Sequence, residues 1–179
     1  MRVNEARDND MAVPGAVVLH GALVTLRPAT AHDIPALLAI LDEPEVARWW
    51  RRAEWERVDD DDIVTFAVIA DDEVVGCIQY SEETDPDYRS AAVDIFISAR
   101  RHGQGVGTDA LRTLVGHLVG DRGHHRLTVD PAVVNARAIH VYEKLGFRRV
   151  GVLRRYERGE DGVWHDALLM DYVVEPGAG

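Results

Sequence analysis

The stretch that decides the fold runs from residue 93 to residue 147. It opens with V-D-I-F-I-S-A-R-R-H-G-Q-G-V-G-T-D-A-L-R (93–112) and closes with T-V-D-P-A-V-V-N-A-R-A-I-H-V-Y-E-K-L-G-F (128–147). The apolar run at 91–98 predicts a strand, and three glycines follow it at alternate positions. A helix is predicted over 105–119, with Val106, Ala110, Leu111, Leu114, Val115 and Leu118 on one side. A short strand at 126–129, a turn and a second helix over 135–145 complete the stretch.

Working outward, residues 17–27 alternate and predict a strand, with Gly21 as a turn or bulge in it. Thr30 and Asp33 have capping-box spacing ahead of a helix over 34–41. Residues 45–50 predict a second short helix ending in the Trp49-Trp50 pair. Segments 65–70 and 74–80, joined by Asp71-Asp72-Glu73, predict a hairpin. Two closing strands are predicted at 147–153 and 164–174, joined by a polar hairpin at 157–162. The order implies an α+β fold: a mixed, mostly antiparallel central sheet flanked by helices. Residues 17–175 are expected to form a single domain behind a loose tail at 1–16.

Composition narrows the function classes. The 179 residues are 46% hydrophobic and 28% charged, which predicts a globular domain. No apolar run reaches the roughly 20 residues of a membrane helix, so no membrane partner is expected. The single cysteine, Cys77, lies in an apolar strand segment, which implies packing and fits a reducing cytoplasm. The formal net charge of −11 disfavours nucleic acid and favours cationic partners. The acids are clustered, with four aspartates at 59–62 and a second group of Glu82, Glu83, Asp85 and Asp87. The first reads as a solvated turn; the second, just ahead of the key strand, is a candidate substrate contact.

Gly103, Gly105 and Gly107 sit where a strand turns into a helix. Without Cβ atoms the backbone there can turn tightly and present consecutive N–H groups. With the positive end of the helix dipole, those donors suit a pyrophosphate. Gly105-x-Gly107-x-x-Ala110 also matches a dinucleotide fingerprint, with Asp130 twenty residues on. That reading fails on two counts. The first glycine of such a motif directly follows its strand, and several further βα units come after it.

The run Ile95-Phe-Ile-Ser-Ala-Arg-Arg-His-Gly-Gln-Gly-Val-Gly-Thr108 resembles the coenzyme A motif of the GCN5-related N-acetyltransferases. Asn135-Ala-Arg-Ala-Ile-His-Val-Tyr-Glu-Lys-Leu-Gly-Phe147 resembles the helix and strand that follow in that superfamily. The resemblance implies acetyl-CoA as co-substrate, with no metal. It assigns the pantetheine to the backbone of Phe96 and Ile97, and the pyrophosphate to Gly103, Gln104, Gly105, Gly107 and Thr108. Asn135 would contact the amide arm, and Tyr142 would protonate the leaving thiolate. His102 stands where the motif usually has Arg or Gln.

An acid in an apolar strand is costly to bury without a partner, which singles out Asp94, and Asp130 ends the next strand. An amine acceptor must lose a proton before it attacks, and a nearby carboxylate can bind the ammonium and take that proton. Within the superfamily, Trp49-Trp50, Glu82-Glu-Thr-Asp-Pro86, Asp94 and Thr128-Val-Asp-Pro131 resemble the aminoglycoside 6′-N-acetyltransferases. That likeness implies Asp94 as base, Asp94 and Asp130 as amine ligands and Trp49 as a pocket wall. Glu83 and Asp85 would steer a cationic small-molecule amine. Only 15 residues separate Trp50 from Phe66, fewer than that group usually has. The segment 151–174 looks instead like acetyltransferases of protein N-termini or small amines. Acetylation of an N-terminus or a siderophore-type lysine amine is therefore the alternative, and a non-catalytic acetyl-CoA sensor a third reading. A monomer or homodimer is expected.

Overall fold

A computed structural model describes residues 17–51, 62–159 and 162–175. The expected tail at 1–16 and the aspartates at 59–61 lie outside the described residues. The described residues form an eight-stranded sheet in the order β1-β2-β3-β4-β5-β6-β8-β7. The strands are β1 Leu19–His20, β2 Thr25–Pro28, β3 Ile63–Ala70, β4 Glu73–Glu83, β5 Ser90–Ile97, β6 Arg126–Val129, β7 Arg148–Arg158 and β8 Trp164–Val173. Neighbours are antiparallel except β5 and β6, which run parallel. The helices are α1 Ile34–Leu41, α2 Pro44–Ala47, α3 Val106–Gly120 and α4 Ala136–Lys144. The mixed α+β architecture is the expected one.

Where the expectations differ, backbone chemistry explains why. The strand foreseen at 17–27 is two strands that reverse at Gly21 and pair with each other. A Cβ at Gly21 would lie 2.4 Å from Asp109 Oδ2, so only glycine lets the turn approach α3 this closely. Asp109 is the reason for that approach. Its carboxylate, 5% exposed, accepts from Leu23 N at 2.6 Å and Val24 N at 3.2 Å. The 71–73 hairpin forms as foreseen, because Asp71 and Asp72 tolerate the left-handed φ of 50° and 62° that its tight turn demands.

Two layers cover the sheet. Residues paired across antiparallel strands point to the same side, so Ile78 with Ile95 and Tyr80 with Val93 face one layer. There they meet Val106, Ala110, Leu111, Leu114 and Leu118 of α3, the stripe predicted for that helix. Cys77 with Phe96 faces the other layer and packs on Leu37, Ile40 and Leu41 of α1 and Val46 of α2. Cys77 is buried, as its place in an apolar strand implied.

The α1–α2 layer is pinned at two points. Asp33, 4% exposed, accepts both guanidinium nitrogens of Arg27, at 2.8 and 2.6 Å, and the amide of Thr30 at 2.8 Å. Glu43, between α1 and α2, accepts from Ser98 Oγ at 2.7 Å and Ala99 N at 2.5 Å, which fixes the end of β5. The bidentate Arg27 contact, with the Thr30 bonds, holds the Asp33 carboxyl at about 2, below its ordinary 3.8. A depressed carboxyl stabilises the fold above its unfolded pKa and loses that contribution as pH falls through the folded one. Asp33→Asn should therefore unfold about 2 kcal/mol more easily at pH 7 in urea titrations, and its deficit should shrink as pH falls from 4 towards 2.

Candidate active site

The ladder between β5 and β6 contains only Ala91–Leu127 and Ala92–Thr128. β5 continues to Ile97, whereas the chain leaves β6 after Val129 and enters α4 through Asn135. A groove of about 700 Å³ opens between the end of β5 and α4, within the size range of small-molecule sites. Its floor is Ile95, Phe96 and Ile97, and its far end is the loop and first turn of α3.

The loop has the backbone that the glycines suggested, at two of their three positions. Gly103 and Gly105 adopt φ of 77° and 84°, which disfavour any side chain, and Gly105 is the N-cap of α3. Gly107 has no such requirement; a Cβ there would make ordinary contact with Ile97 Cγ1 at 3.4 Å. Here the alternating pattern overstated the need for glycine. A further glycine, Gly76 on β4, is demanded by packing instead. Its Cβ would fall 2.3 Å from the Phe96 carbonyl oxygen, so glycine lets β4 approach the floor of the groove.

His102, the irregular position, turns back onto the strand. Burial pushes its ring pKa below the ordinary value, so at neutral pH the ring is uncharged. Its Nε2–H donates to the Ile97 carbonyl at 2.8 Å, the only role open to a nitrogen facing a carbonyl. Gln104 is exposed and donates to Arg100 O at 2.8 Å; it is not part of the groove wall. Thr108 is part of it.

On the opposite wall, Asn135 caps α4, its Oδ1 accepting from Ala138 N at 3.1 Å. Tyr142, 6% exposed, lines the groove from the same helix and packs on Phe147, ring centroids 5.6 Å apart. Gly146, at φ 98°, ends the helix so that Phe147 can fold back onto that ring. Desolvation raises the Tyr142 phenol far above its ordinary pKa, and the charges of Asp94 and then Asp130 push it further. Neither acid is a wall of the groove, yet both stand close enough to act on the phenol. Asp94 lies on β5 opposite Gln79, exposed, on the same side of the strand as Phe96. Trp49 lines the α2 side, with the Arg48 guanidinium over its ring at 4.7 Å, while Trp50 packs edge-on to Phe96.

The acidic cluster divides. Glu82 is taken up by structure, pairing with Arg122 at 2.6 Å and His124 at 2.5 Å. Burial opposes its ionisation, but those two partners outweigh it and lower its pKa. Glu83, the last residue of β4, and Asp85 just after it are exposed, accepting from the amides of Asp85 and Asp87, both at 2.9 Å. They are not brought into the groove. Beside Arg101, which adjoins the glycine turn in sequence, the groove recruits Arg48, Arg137 and Lys144, which sequence reading passed over. Helical spacing was the available signal for two of them, since Arg137, Val141 and Lys144 recur at i, i+4 and i+7 on one stripe of α4.

A split sheet with a glycine turn at the opening and a buried tyrosine facing it defines a GNAT-type acyltransferase scaffold. The chain belongs to the GNAT acetyltransferases: residues 24–148 match the family model described as Acetyltransferase (GNAT) domain. Aminoglycoside N(6′)-acetyltransferase type 1 of Klebsiella pneumoniae is 29% identical over 154 residues, 73% of this chain and 76% of that protein. Mycobacterium smegmatis RimJ, solved in complex with CoA-disulfide, superposes with a TM-score of 0.78 at 24% identity, covering 92% and 89% of the two chains. AAC(6′)-Ib, solved with paromomycin and acetyl-CoA, gives 0.69 at 27% identity, covering 84% and 93%.

The backbone angles separate the glycines. Gly105→Ala should cost about 1–2 kcal/mol in chemical denaturation, because it forces a side chain into the left-handed region. Gly107→Ala, inside a helix, should be neutral or stabilising by up to about 1 kcal/mol.

Proposed function

We propose that this acetyltransferase moves the acetyl group of acetyl-CoA directly onto an amine of an aminoglycoside, the 6′-amine in particular. The observation that carries the reading is Tyr142: a buried phenol in the groove wall, with the charges of Asp94 and Asp130 both acting on it. An acid donor, acted on by two carboxylates outside the groove wall, thus lines a groove whose far end is a glycine-rich helix start. The 29% identity to an aminoglycoside acetyltransferase, and the neighbour solved with an aminoglycoside, support this acceptor class.

The geometry supports the following residue roles. The amides at Gly103, Gly105, Gly107 and Thr108 and the dipole of α3 receive the pyrophosphate, with Gln104 at the rim. Arg137 and Lys144 supply positive charge in an otherwise acidic protein, whereas the Arg101 guanidinium already pairs with Asp71 at 2.6 Å. Phe96 and Ile97 offer strand backbone to the pantetheine. The Oδ1 of Asn135 is spent on its helix cap, so any contact with the amide arm falls to its Nδ2. Trp49 walls the acceptor side, and Glu83 and Asp85 act at longer range, steering a polycation toward the cleft.

In the reaction the ammonium of the acceptor binds between Asp94 and Asp130. Asp94 takes one proton, directly or through a water, the neutral amine attacks the thioester carbonyl, and the nitrogen gives up its second proton to water as the tetrahedral intermediate collapses to the amide. The new bond is C–N and the broken one is C–S. The thiolate leaves with the C–S electron pair and takes its proton from Tyr142, which recovers one from solvent. A phenol flanked by two carboxylates is a weak acid, but the proton that the ammonium brings and then passes to Asp94 cancels one of the two charges that weaken it. Acceptor binding therefore strengthens the acid at the moment it is needed.

Asp94→Asn should lower kcat/KM for the amine at pH 7 by about 100-fold or more, with partial recovery as rising pH deprotonates the amine unaided. Full kcat/KM at neutral pH in that variant would refute its role as base. Acetyl-CoA consumption should be fastest with kanamycin-type drugs when tested beside polyamines and N-terminal peptides. Absence of turnover on every drug bearing a 6′-amine would refute the acceptor.

A further inference from the structure

Arginine and lysine line the groove at four positions, and two of these side chains are already engaged. The Arg101 guanidinium pairs with Asp71 at 2.6 Å and reaches Glu73 at 3.5 Å, and that of Arg48 lies over the Trp49 ring at 4.7 Å. Arg137 and Lys144 are different. Both are exposed on α4, and among the described residues neither side chain has a hydrogen bond or an ion pair. His140 lines the groove from the same stripe of the helix, three residues after Arg137. Among the described residues the one carboxylate lining the groove, Glu45, belongs to α2 and not to α4.

Helix stability does not account for the pair. Lys144, in the last turn, complements the dipole of α4, but Arg137, in the first turn, opposes it. The acid of that helix, Glu143, offers no compensation, because it holds Arg149 at 2.8 Å. The stripe is thus uncompensated positive charge facing a groove, in a chain whose net charge is −11. It is also separate from the anion site at the far end of the groove, where the glycine loop and the start of α3 present backbone amides. Two anion sites suit a ligand with two phosphate groups. Arg137 and Lys144 are about 10 Å apart along the helix axis, a span that two long side chains can close around one such group.

We propose that Arg137 and Lys144, with His140 between them, form a second anion subsite that takes the 3′-phosphate of coenzyme A and discriminates against donors lacking it. The inference rests on the cofactor groove proposed above, in which the glycine loop receives the diphosphate. Coenzyme A carries its diphosphate and its 3′-phosphate on one ribose, so seating the first on the loop presents the second to the groove wall. A phosphate monoester holds close to two negative charges above about pH 7. The guanidinium meets it as a two-pronged donor and the ammonium as a point charge.

The test compares two ligands that differ only in that group. Isothermal titration calorimetry of the intact protein, at slightly alkaline pH and low salt, measures binding of coenzyme A and of 3′-dephospho-coenzyme A. The unsubstituted protein should bind coenzyme A about tenfold more tightly, or better. Arg137→Gln combined with Lys144→Gln, both at exposed positions, should cut that preference to less than about threefold, chiefly by weakening coenzyme A. Lys144→Arg, which keeps the charge, should retain most of the preference. Equal affinity of the unsubstituted protein for the two ligands overturns the subsite and leaves the cofactor groove standing. So does a double variant that weakens both ligands by the same factor, because its charges then serve the shared diphosphate. Binding of neither ligand to the unsubstituted protein overturns the groove itself, and the subsite with it.

Discussion

Ala91 with Leu127 and Ala92 with Thr128 are the whole of the parallel ladder between β5 and β6. Every other feature of the site depends on that ladder stopping. Had β6 run on beside β5, its backbone would fill the space that Ile95, Phe96 and Ile97 now line. Instead β6 ends at Val129, Asp130 follows it directly, and Asn135 caps a helix whose groove face carries Tyr142. The acid after β6, the acid on β5 and the phenol on α4 converge because two strands part.

Keeping the split open requires anchors on both sides. Glu43 holds the far end of β5 through Ser98 and Ala99, and Gly76 lets β4 lie against it where a methyl group would collide. Asp109 ties the 21–24 turn to the first turn of α3, behind the glycine loop. The charge pattern follows the same division. The chain carries a net charge of −11, yet Arg48, Arg101, Arg137 and Lys144 line the groove.

Local features were legible in the sequence. Periodicity identified α3 and its buried stripe, Asn135 marked the start of α4, and adjacent aspartates marked a tight hairpin. Asp94 stood out as an acid in an apolar strand. What was not legible depends on distant partners. Glu43 and Ser98 are 55 residues apart, Leu23 and Asp109 are 86 apart, and no spacing rule links them. Glu82 looked like a neighbour of Glu83 and Asp85, but Arg122 and His124, some 40 residues on, claim it. The β7 bulge between Leu153 and Glu157, where Arg155 takes a φ of 52°, was invisible for another reason: arginine at a left-handed position gives no turn signal, and the strand predicted from the sequence stopped at 153, before the bulge.

The most direct test of the central claim is an amide NMR titration of the intact protein with coenzyme A. If the glycine loop, the end of β5 and the start of α4 form one cofactor groove, amides at 95–97, 103–108 and 135–138 should shift together at a common affinity. Shifts concentrated away from those three segments, or saturating at different concentrations in each, would contradict it.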